Sequence, residues 1–450
     1  MELSENLTRK SRKNLTSRSV DAALQPFVNF HDEVKLEFNA WTFKNTGSID
    51  NRNKLLNGGA NVAAFSLIDQ KTRKDFGIFF SGHELADLVA SKVAKHIRSG
   101  ASVIDPTCGA GDLLIACARH YKKQADFEST IALWSSKLAG IDLHKTFIDT
   151  AKSRLKLLAT ESFLPSTNPS GSQATEFEKL IIDNALTCLD LISGYDLVVT
   201  NPPYGTINAP TDILWAKGNI QTAGLFLDRI LRSSKRGQEI VAVLPDVLRS
   251  GTRYSKWREW ITQNAKVLSI NVVGKFDKTT DVDVFVLHLR AEQSHKNKWP
   301  QTYSLKKNDQ RVAIGSLFNV RIGPVVPHRD LETGPVRKYI DCSQTKDMSD
   351  LHPAQNRAFN STPYRGPFIV IRRTSSPNDS NRLVASIVIT KNLVMVENHL
   401  IIVQPIDGKL STCRKLLIRL KDKSATDWIN QRIRCRHLTV SSIRELPINW

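Results

Sequence analysis

The stretch ASVIDPTCGAGDLLIACARH, residues 101–120, decides how the chain is read. Its first five residues are a short apolar run. Asp105-Pro-Thr-Cys108-Gly109-Ala-Gly111 is a turn, and from Asp112 the apolar pattern resumes with helical length. A brief apolar run ending in a glycine-rich turn is the pattern of a parallel strand buried on both faces. No Gly-Lys-Ser/Thr follows the glycines, which argues against a nucleoside-triphosphate loop. Working outward, the alternation recurs. ELADLVASKVAKHI (84–97) predicts a helix with Leu85, Leu88, Val89 and Val93 on one face. LAGID (138–142) predicts a strand and HKTFIDTAKSRLKLL (144–158) an amphipathic helix. Further strands are expected at 180–182, 195–200, 239–245, 267–273 and 284–289, with helices over 222–236, closed by Gly237, and over 253–264. Strands alternating with helices predict an α/β fold. The sheet is expected to be doubly wound and mostly parallel, with seven strands and ligands at the carboxyl ends of those strands.

The flanks read differently. Residues 1–75 predict an arm that begins with Arg9, Lys10, Arg12 and Lys13, followed by a few helices without clear periodicity. SFLPSTNPSGSQAT (162–175) predicts a surface loop. After HKNKWPQ (295–301) come irregular β-like runs, FIVIRR (368–373), VASIVIT (384–390) and NHLIIVQP (398–405), and two basic helical stretches at 412–423 and 425–436. The expected organisation is an N-terminal segment (1–75), the α/β domain (76–295) and a mixed α/β C-terminal domain (310–450), with the boundary near 291–315.

Charge is spread unevenly over these parts. The net +19 includes only +3 from residues 1–75 and +3 from 76–290, whereas 291–450 hold 26 Lys and Arg against 13 Asp and Glu. A single basic cluster is usually a solvated face. A whole basic domain beside a near-neutral one is what counterion release at a polyphosphate requires, so nucleic acid is the expected partner. No stretch reaches the roughly 18 uninterrupted apolar residues of a membrane span, and the polar, basic start has no apolar secretion core. The six cysteines, Cys108, Cys117, Cys188, Cys342, Cys413 and Cys435, form no CxxC, which argues against zinc and against a disulfide framework. A reduced, intracellular, soluble protein with neither metal nor membrane partner is expected.

Three elements carry chemistry. Gly109 and Gly111 let the backbone turn sharply and approach a ligand, and the helix amides behind them face an anionic group; a packing turn explains the same glycines. Asp142, ending its strand, can accept both ribose hydroxyls of an adenosine cofactor while Leu143 covers the adenine face; a helix cap explains it as well. Asp196-Leu-Val-Val-Thr-Asn201-Pro202-Pro203-Tyr204-Gly205 is a strand running into a rigid polar turn. Two prolines fix the backbone, so the Asn201 amide and the Pro202 carbonyl can both accept from one NH2 group, and Tyr204 offers a flat face for a planar base. An ordinary strand-to-loop turn is the bland account of this segment, and its order after the glycine loop and strand-end acid favours the functional one.

Over about residues 75–290 the chain resembles the N6-adenine DNA methyltransferases of restriction-modification systems in the gamma arrangement. DPTCGAGDLL is similar to the family's DPxCGxG signature, GIDL to its ribose-binding motif, and NPPY to its catalytic motif. The resemblance implies the class I S-adenosylmethionine-dependent methyltransferase fold and S-adenosylmethionine as cofactor. It implies that Gly77-Ile-Phe79-Phe80-Ser81 packs against the methionine end. Asp105, Cys108, Gly109, Gly111, Asp142 and Leu143 would hold the cofactor, with Asp183 and Asn184 near its adenine. Asn201, Pro202, Pro203 and Tyr204 would form the catalytic turn, and Tyr204 and Phe276 would stack the target base after extrusion from the duplex. Asn201 and Pro202 would aim the nitrogen at the methyl group, with positioning rather than a strong base supplying the rate. Gly82 stands where the family usually has proline, and Asn184 where an apolar residue is common. The basic C-terminal domain is expected to recognise the target in double-stranded DNA, with Arg372 and Arg373 as candidate DNA contacts. A monomer is expected, cytoplasmic and nucleoid-associated, with a separate cognate restriction endonuclease as partner. Two alternatives remain at this point. One is an RNA guanine-N2 methyltransferase, which shares both motifs but usually carries its RNA-binding domain before the core. The other is a catalytically silent DNA-binding subunit, against which the intact NPPY and Asp142 speak. Protein glutamine methyltransferases use NPPY with a different glycine loop. No PD…(D/E)xK constellation marks a fused nuclease.

Overall fold

The computed structural model describes residues 17–44, 46–76, 78–163, 177–276, 282–293, 298–300 and 310–450. Arg9, Lys10, Arg12 and Lys13, Gly77, most of the loop expected at 162–175, and part of the expected domain boundary lie outside them. The described residues fall into two compact units, one within Met1–Leu248 and Tyr254–Pro300, the other within Arg249–Arg253 and Gln301–Trp450.

The first unit is built on a seven-stranded sheet. Its strands are β1 (Val103–Asp105), β2 (Leu138–Asp142), β3 (Leu180–Ile182), β4 (Leu197–Thr200), β5 (Glu239–Pro245), β6 (Ala265–Lys275) and β7 (Asp283–Ala291), in the order β3-β2-β1-β4-β5-β7-β6. The first five are parallel, and β7 runs antiparallel to both β5 and β6. Strands β1, β4 and β5 are buried throughout, so they read as continuous apolar runs rather than as alternations. Helices Gly82–Arg98, Asp112–Ala118, Lys145–Ala159 and Thr222–Ser233 share one apolar core with the sheet. In Gly82–Arg98 the buried positions Leu85, Ala86, Val89, Ala90, Val93, Ala94 and Ile97 form one helical stripe.

Residues 24–68, set apart in the sequence reading, contribute to this same core. Leu24, Phe27, Phe30 and Val34 on the helix Ser17–Asn39 are buried, as are Leu55 and Leu56 on Ile49–Leu56. Phe27 meets Phe80 at 5.5 Å and Phe147 at 5.0 Å between ring centroids. Spacings of three and four residues from Leu24 to Val34 are the helical signal that these contacts exploit. The structure adds a helix at Phe127–Lys137, and a hairpin of Thr206–Asn208 with Asn219–Gln221 directly after the NPPY turn.

The second unit is mixed α/β. A five-stranded sheet pairs Phe318–Ile322, Leu400–Pro405, Phe368–Arg372, Ala385–Val388 and Ser349–Leu351 in that spatial order. A four-stranded sheet of Gln355–Arg357, Arg337–Ile340, Leu393–Val396 and Tyr364–Arg365 accompanies it. Helices Leu410–Leu420 and Lys423–Arg432 bury Cys413, Leu416, Leu420, Trp428 and Ile429 in the same core as the five-stranded sheet.

Candidate active site

Strand order reverses between β2 and β4 on either side of β1, and the carboxyl ends of these strands open there into a crevice, as open α/β sheets do. The cleft encloses about 760 Å³ of space between atoms, open solvent at its mouth included. Of the residues expected to hold a cofactor, Phe79, Phe80, Ser81, Asp105, Cys108, Gly109, Asp142, Leu143, Asp183 and Asn184 line it, together with Asn201 and Pro203 of the polar turn. Gly111 is not on its wall and instead heads the helix Asp112–Ala118, whose Asp112 and Leu113 are.

The glycine loop is held by the strand-end acid. The Asp142 carboxylate accepts from the Gly109 amide at 3.1 Å and from the His144 amide at 2.9 Å. Burial raises its pKa, against the pull of His144 and these amides. Gly109 has φ +50°, and a Cβ on it would lie 2.7 Å from the Phe80 ring, so both conformation and space demand glycine. Leu143 is 61% exposed, available to cover a planar ring. Asp105 is 1% exposed and accepts from the Thr107 amide (3.0 Å) and hydroxyl (3.3 Å). Burial, aided by Asp142 and Asp112, pushes its pKa up to about 8. Burial likewise raises the Cys108 thiol, which keeps it neutral packing rather than a nucleophile.

Gly82, at the place where the resembled family usually has proline, has φ +65° and donates its N–H to Asp112 at 3.0 Å. Proline can do neither. Asp112 in turn pairs at 2.8 Å with Arg154, whose side chain is fully buried. Arg154 also donates to the carbonyls of Ala110 (2.7 Å), Leu55 (3.1 Å) and Leu56 (2.9 Å). One guanidinium thus ties the glycine loop to the N-terminal helices, a role with no local signature in the sequence. Asn184, the other departure, accepts from the Leu186 amide at 3.1 Å and shapes its own turn.

Asn201 leaves the end of β4 with all its amide groups engaged. Its Nδ2 donates to the Phe79 carbonyl at 3.0 Å and to the Ser81 hydroxyl at 3.1 Å, and the Tyr204 hydroxyl donates to its Oδ1 at 2.7 Å. Tyr204 is buried and stacks on Phe79 (5.4 Å, 23°), with Phe276 edge-on to both, at 5.4 Å from Tyr204 and 6.2 Å from Phe79. The structure therefore gathers Tyr204 and Phe276, but against each other, with Phe79 as a third ring. In this arrangement no gap is left between them for a base. Neither Tyr204 nor Phe276 nor Pro202 is on the cleft wall. Phe79 stands between the two sites. Two cleft residues outside the sequence reading, Thr107 and His144, stand two positions after Asp105 and Asp142; Thr107 bonds Thr200 at the end of β4, 2.8 Å between hydroxyls.

In the second unit, Arg372 ends the strand Phe368–Arg372, and its Nη2 donates to the Thr345 carbonyl at 2.5 Å. Arg373 donates from Nη1 to the Asn398 carbonyl at 3.4 Å, and both arginines are half-buried.

The profile of the N-6 DNA Methylase family matches residues 65–313, more than half of the chain and the whole span from Ser81 to Phe276. The chain belongs to the N-6 DNA methylase family. Among curated relatives it is 23% identical over 230 residues to the Type II methyltransferase M.CvrRI of Paramecium bursaria Chlorella virus XZ-6E, an alignment covering 50% of each protein. It spans about half the length of that relative. Among solved structures, the Type IIL restriction-modification enzyme MmeI in complex with DNA has a TM-score of 0.50 at 13% identity, over 88% of this chain and 70% of that one. The Type IIG restriction endonuclease BpuSI has a TM-score of 0.48 at 14% identity, over 98% and 69%. The likeness to MmeI is one of fold. The family's cofactor is S-adenosylmethionine, and the cleft fits it. Bound there, it would meet an acid at the end of β2, an exposed leucine beside that acid, and buried carboxyls next to a helix-opening glycine loop.

Proposed function

We propose that this N-6 DNA methylase family member transfers a methyl group from S-adenosylmethionine to the N6 amino group of adenine in double-stranded DNA, as the modification enzyme of a restriction-modification system. The observation that carries the reading is Asn201. Its amide nitrogen is held by Phe79 and Ser81, so the oxygen end is turned away from them. S-adenosylmethionine, bound in the cleft, supplies an electrophilic methyl. The chain does the rest. Asp142 binds ribose, Asp105 and the glycine loop hold the methionine end, and Asn201 Oδ1 accepts a hydrogen bond from the target amino group. An amide oxygen has two acceptor sites, so the Tyr204 hydroxyl leaves one for that bond. With the Pro202 carbonyl as second acceptor, the nitrogen lone pair is drawn out of ring conjugation, and positioning supplies about 7–11 kcal/mol of rate.

An extruded base has to part Tyr204 from Phe276. Each stacking contact then gained is worth about 1–3 kcal/mol and offsets the cost of unstacking. The catalytic part is assigned to residues 76–295, supported by the N-terminal segment 1–75. The basic residues 310–450 are assigned to target recognition, which their charge supports. There Arg372 and Arg373 are the candidate DNA contacts, each with one guanidinium nitrogen on a backbone carbonyl. The chain is further proposed to act as a monomer in the cytoplasm at the nucleoid, beside a separate cognate endonuclease.

The test is a tritiated-methyl transfer assay with calorimetry on Asn201→Ala, after methylation-aware sequencing has located the site. Transfer is expected to vanish while S-adenosylmethionine still binds. Near-normal turnover in the variant would refute the assignment.

A further inference from the structure

Beyond the end of the strand Phe368–Arg372, three separate segments of the second unit are joined by backbone hydrogen bonds. The Arg373 amide donates to the His399 carbonyl at 2.8 Å, the Leu438 amide to the Arg373 carbonyl at 2.7 Å, and the Ser375 amide to the Arg436 carbonyl at 2.9 Å. Three basic side chains, Arg373, His399 and His437, are thereby brought within electrostatic reach of one another. Burial, and then the charges of Arg373 and His399, lower the His437 pKa. Both rings are fixed from the Nδ1 side. His399 Nδ1 lies 2.7 Å from Glu397 Oε1, and His437 Nδ1 lies 3.2 Å from the Thr374 hydroxyl. Neither Nε2 has a hydrogen-bonding partner among the described residues. Arg373 makes no ion pair among them, and its guanidinium donates to the Asn398 carbonyl alone. Glu397 is already engaged, by His399 and by the Cys342 amide at 3.2 Å. One guanidinium and two imidazoles, served by a single carboxylate, make a donor set for an anion.

We propose that Arg373, His399 and His437 together bind one backbone phosphate of duplex DNA, a contact that positions the second unit on the duplex without reading sequence. This rests on the assignment of residues 310–450 to target recognition. Arg373 is half-buried, with its guanidinium folded onto a backbone carbonyl. A group held in that way does not extend to base edges at the floor of a groove about 8.5 Å deep. A phosphate lies on the outside of the duplex and needs no such reach. It also accepts from several directions at once, which suits donors carried by three segments, whereas even guanine offers only two acceptors in the major groove.

The experiment measures binding of the full-length chain to two duplexes, one carrying the methylation site and one of random sequence, across about 50–200 mM salt. Arg373→Gln is expected to bind both about tenfold more weakly, the worth of one charge-assisted hydrogen bond. Its log–log salt slope should be shallower by about 0.9, one phosphate's share. Arg373→Lys keeps the charge and should keep the slope. His399→Gln and His437→Gln should each weaken both duplexes about three- to tenfold, leaving the ratio between them unmoved. A changed preference at one base pair with an unaltered slope overturns the proposal in favour of base reading. Wild-type affinity in a folded Arg373→Gln, or in either histidine variant, overturns it outright. Should Arg373→Gln not fold, neutral methylphosphonates placed one at a time along the DNA decide. One position has to weaken the wild type and affect His437→Gln less, and the absence of such a position refutes the site. A wild type that binds duplexes as described yet transfers no methyl group to adenine refutes the proposed function and leaves the phosphate site standing.

Discussion

Replacing Asp105 by asparagine is expected to remove a proton that the wild type releases when the methyl donor binds. The carboxyl sits at the end of β1, 1% exposed, with Thr107 as its hydrogen-bonding partner and the carboxylates of Asp142 and Asp112 as its charged neighbours. Its pKa rises from 3.8 to about 8 because burial outweighs those hydrogen bonds. At about 1.4 kcal/mol per pH unit, the site disfavours the charged form by about 6 kcal/mol relative to a solvated carboxyl. An acid with a raised pKa is protonated below about pH 8, roughly nine-tenths so at pH 7.

The donor brings a positive charge, which favours the carboxylate, so binding should expel that proton. Calorimetry at pH 7 in two buffers of different ionisation enthalpy reads it directly. The wild type should release close to one proton more than Asp105→Asn. Wild-type affinity should also rise with pH up to about 8 and then level off, whereas the variant binds more weakly and without that slope. Stability has the opposite sign. Between pH 3.8 and about 8 the folded state holds a proton that the unfolded chain has lost, so stability falls as pH rises through this window. Asp105→Asn should therefore melt higher than the wild type at pH 8.5 without donor. Equal proton release by both proteins, or wild-type affinity flat from pH 6 to 8, would refute the reasoning.

Asp142→Ala is expected to weaken S-adenosylmethionine binding about ten- to a hundredfold by removing charge-assisted hydrogen bonds, with the DNA sequence preference unmoved. An unchanged dissociation constant would leave Asp142 only as the brace of Gly109. Arg154→Met should cost about 3–5 kcal/mol in urea denaturation, because the buried Asp112 loses its countercharge; a loss below about 1 kcal/mol would contradict that view of the hub. With 2-aminopurine at the target adenine, fluorescence should rise on binding wild type, and Phe276→Ala should change both that signal and turnover. If neither moves, Phe276 does not stack the base.

Local pattern carried the sheet. Strands β2, β3 and β5 occur at the residues where apolar runs bounded by turns place them; in β5, buried along its whole length, the run is apolar from Ile240 to Pro245. The positions of Asp142 and Asn201 were legible for a related reason: both sit where a strand stops, and a strand-end residue of a parallel sheet faces the ligand crevice. The short hairpin at Thr206–Asn208 and Asn219–Gln221 has no such signal, since four of its six residues are Thr, Asn or Gln. Other features were settled only when distant segments met. The Asn201 amide takes its direction from the Phe79 carbonyl, 122 residues earlier. Gly82 gives its amide to Asp112, 30 residues later, at a φ that proline cannot adopt. Arg154 joins three stretches of chain through backbone carbonyls, which carry no side-chain identity to read. Tyr204 and Phe276 were paired from the sequence, yet their edge-on packing and the Phe79 ring over Tyr204 arise from side-chain packing. Periodicity records what each residue does with respect to its own element. Which groups face one another across the cleft depends on how those elements pack, and that information exists only in three dimensions.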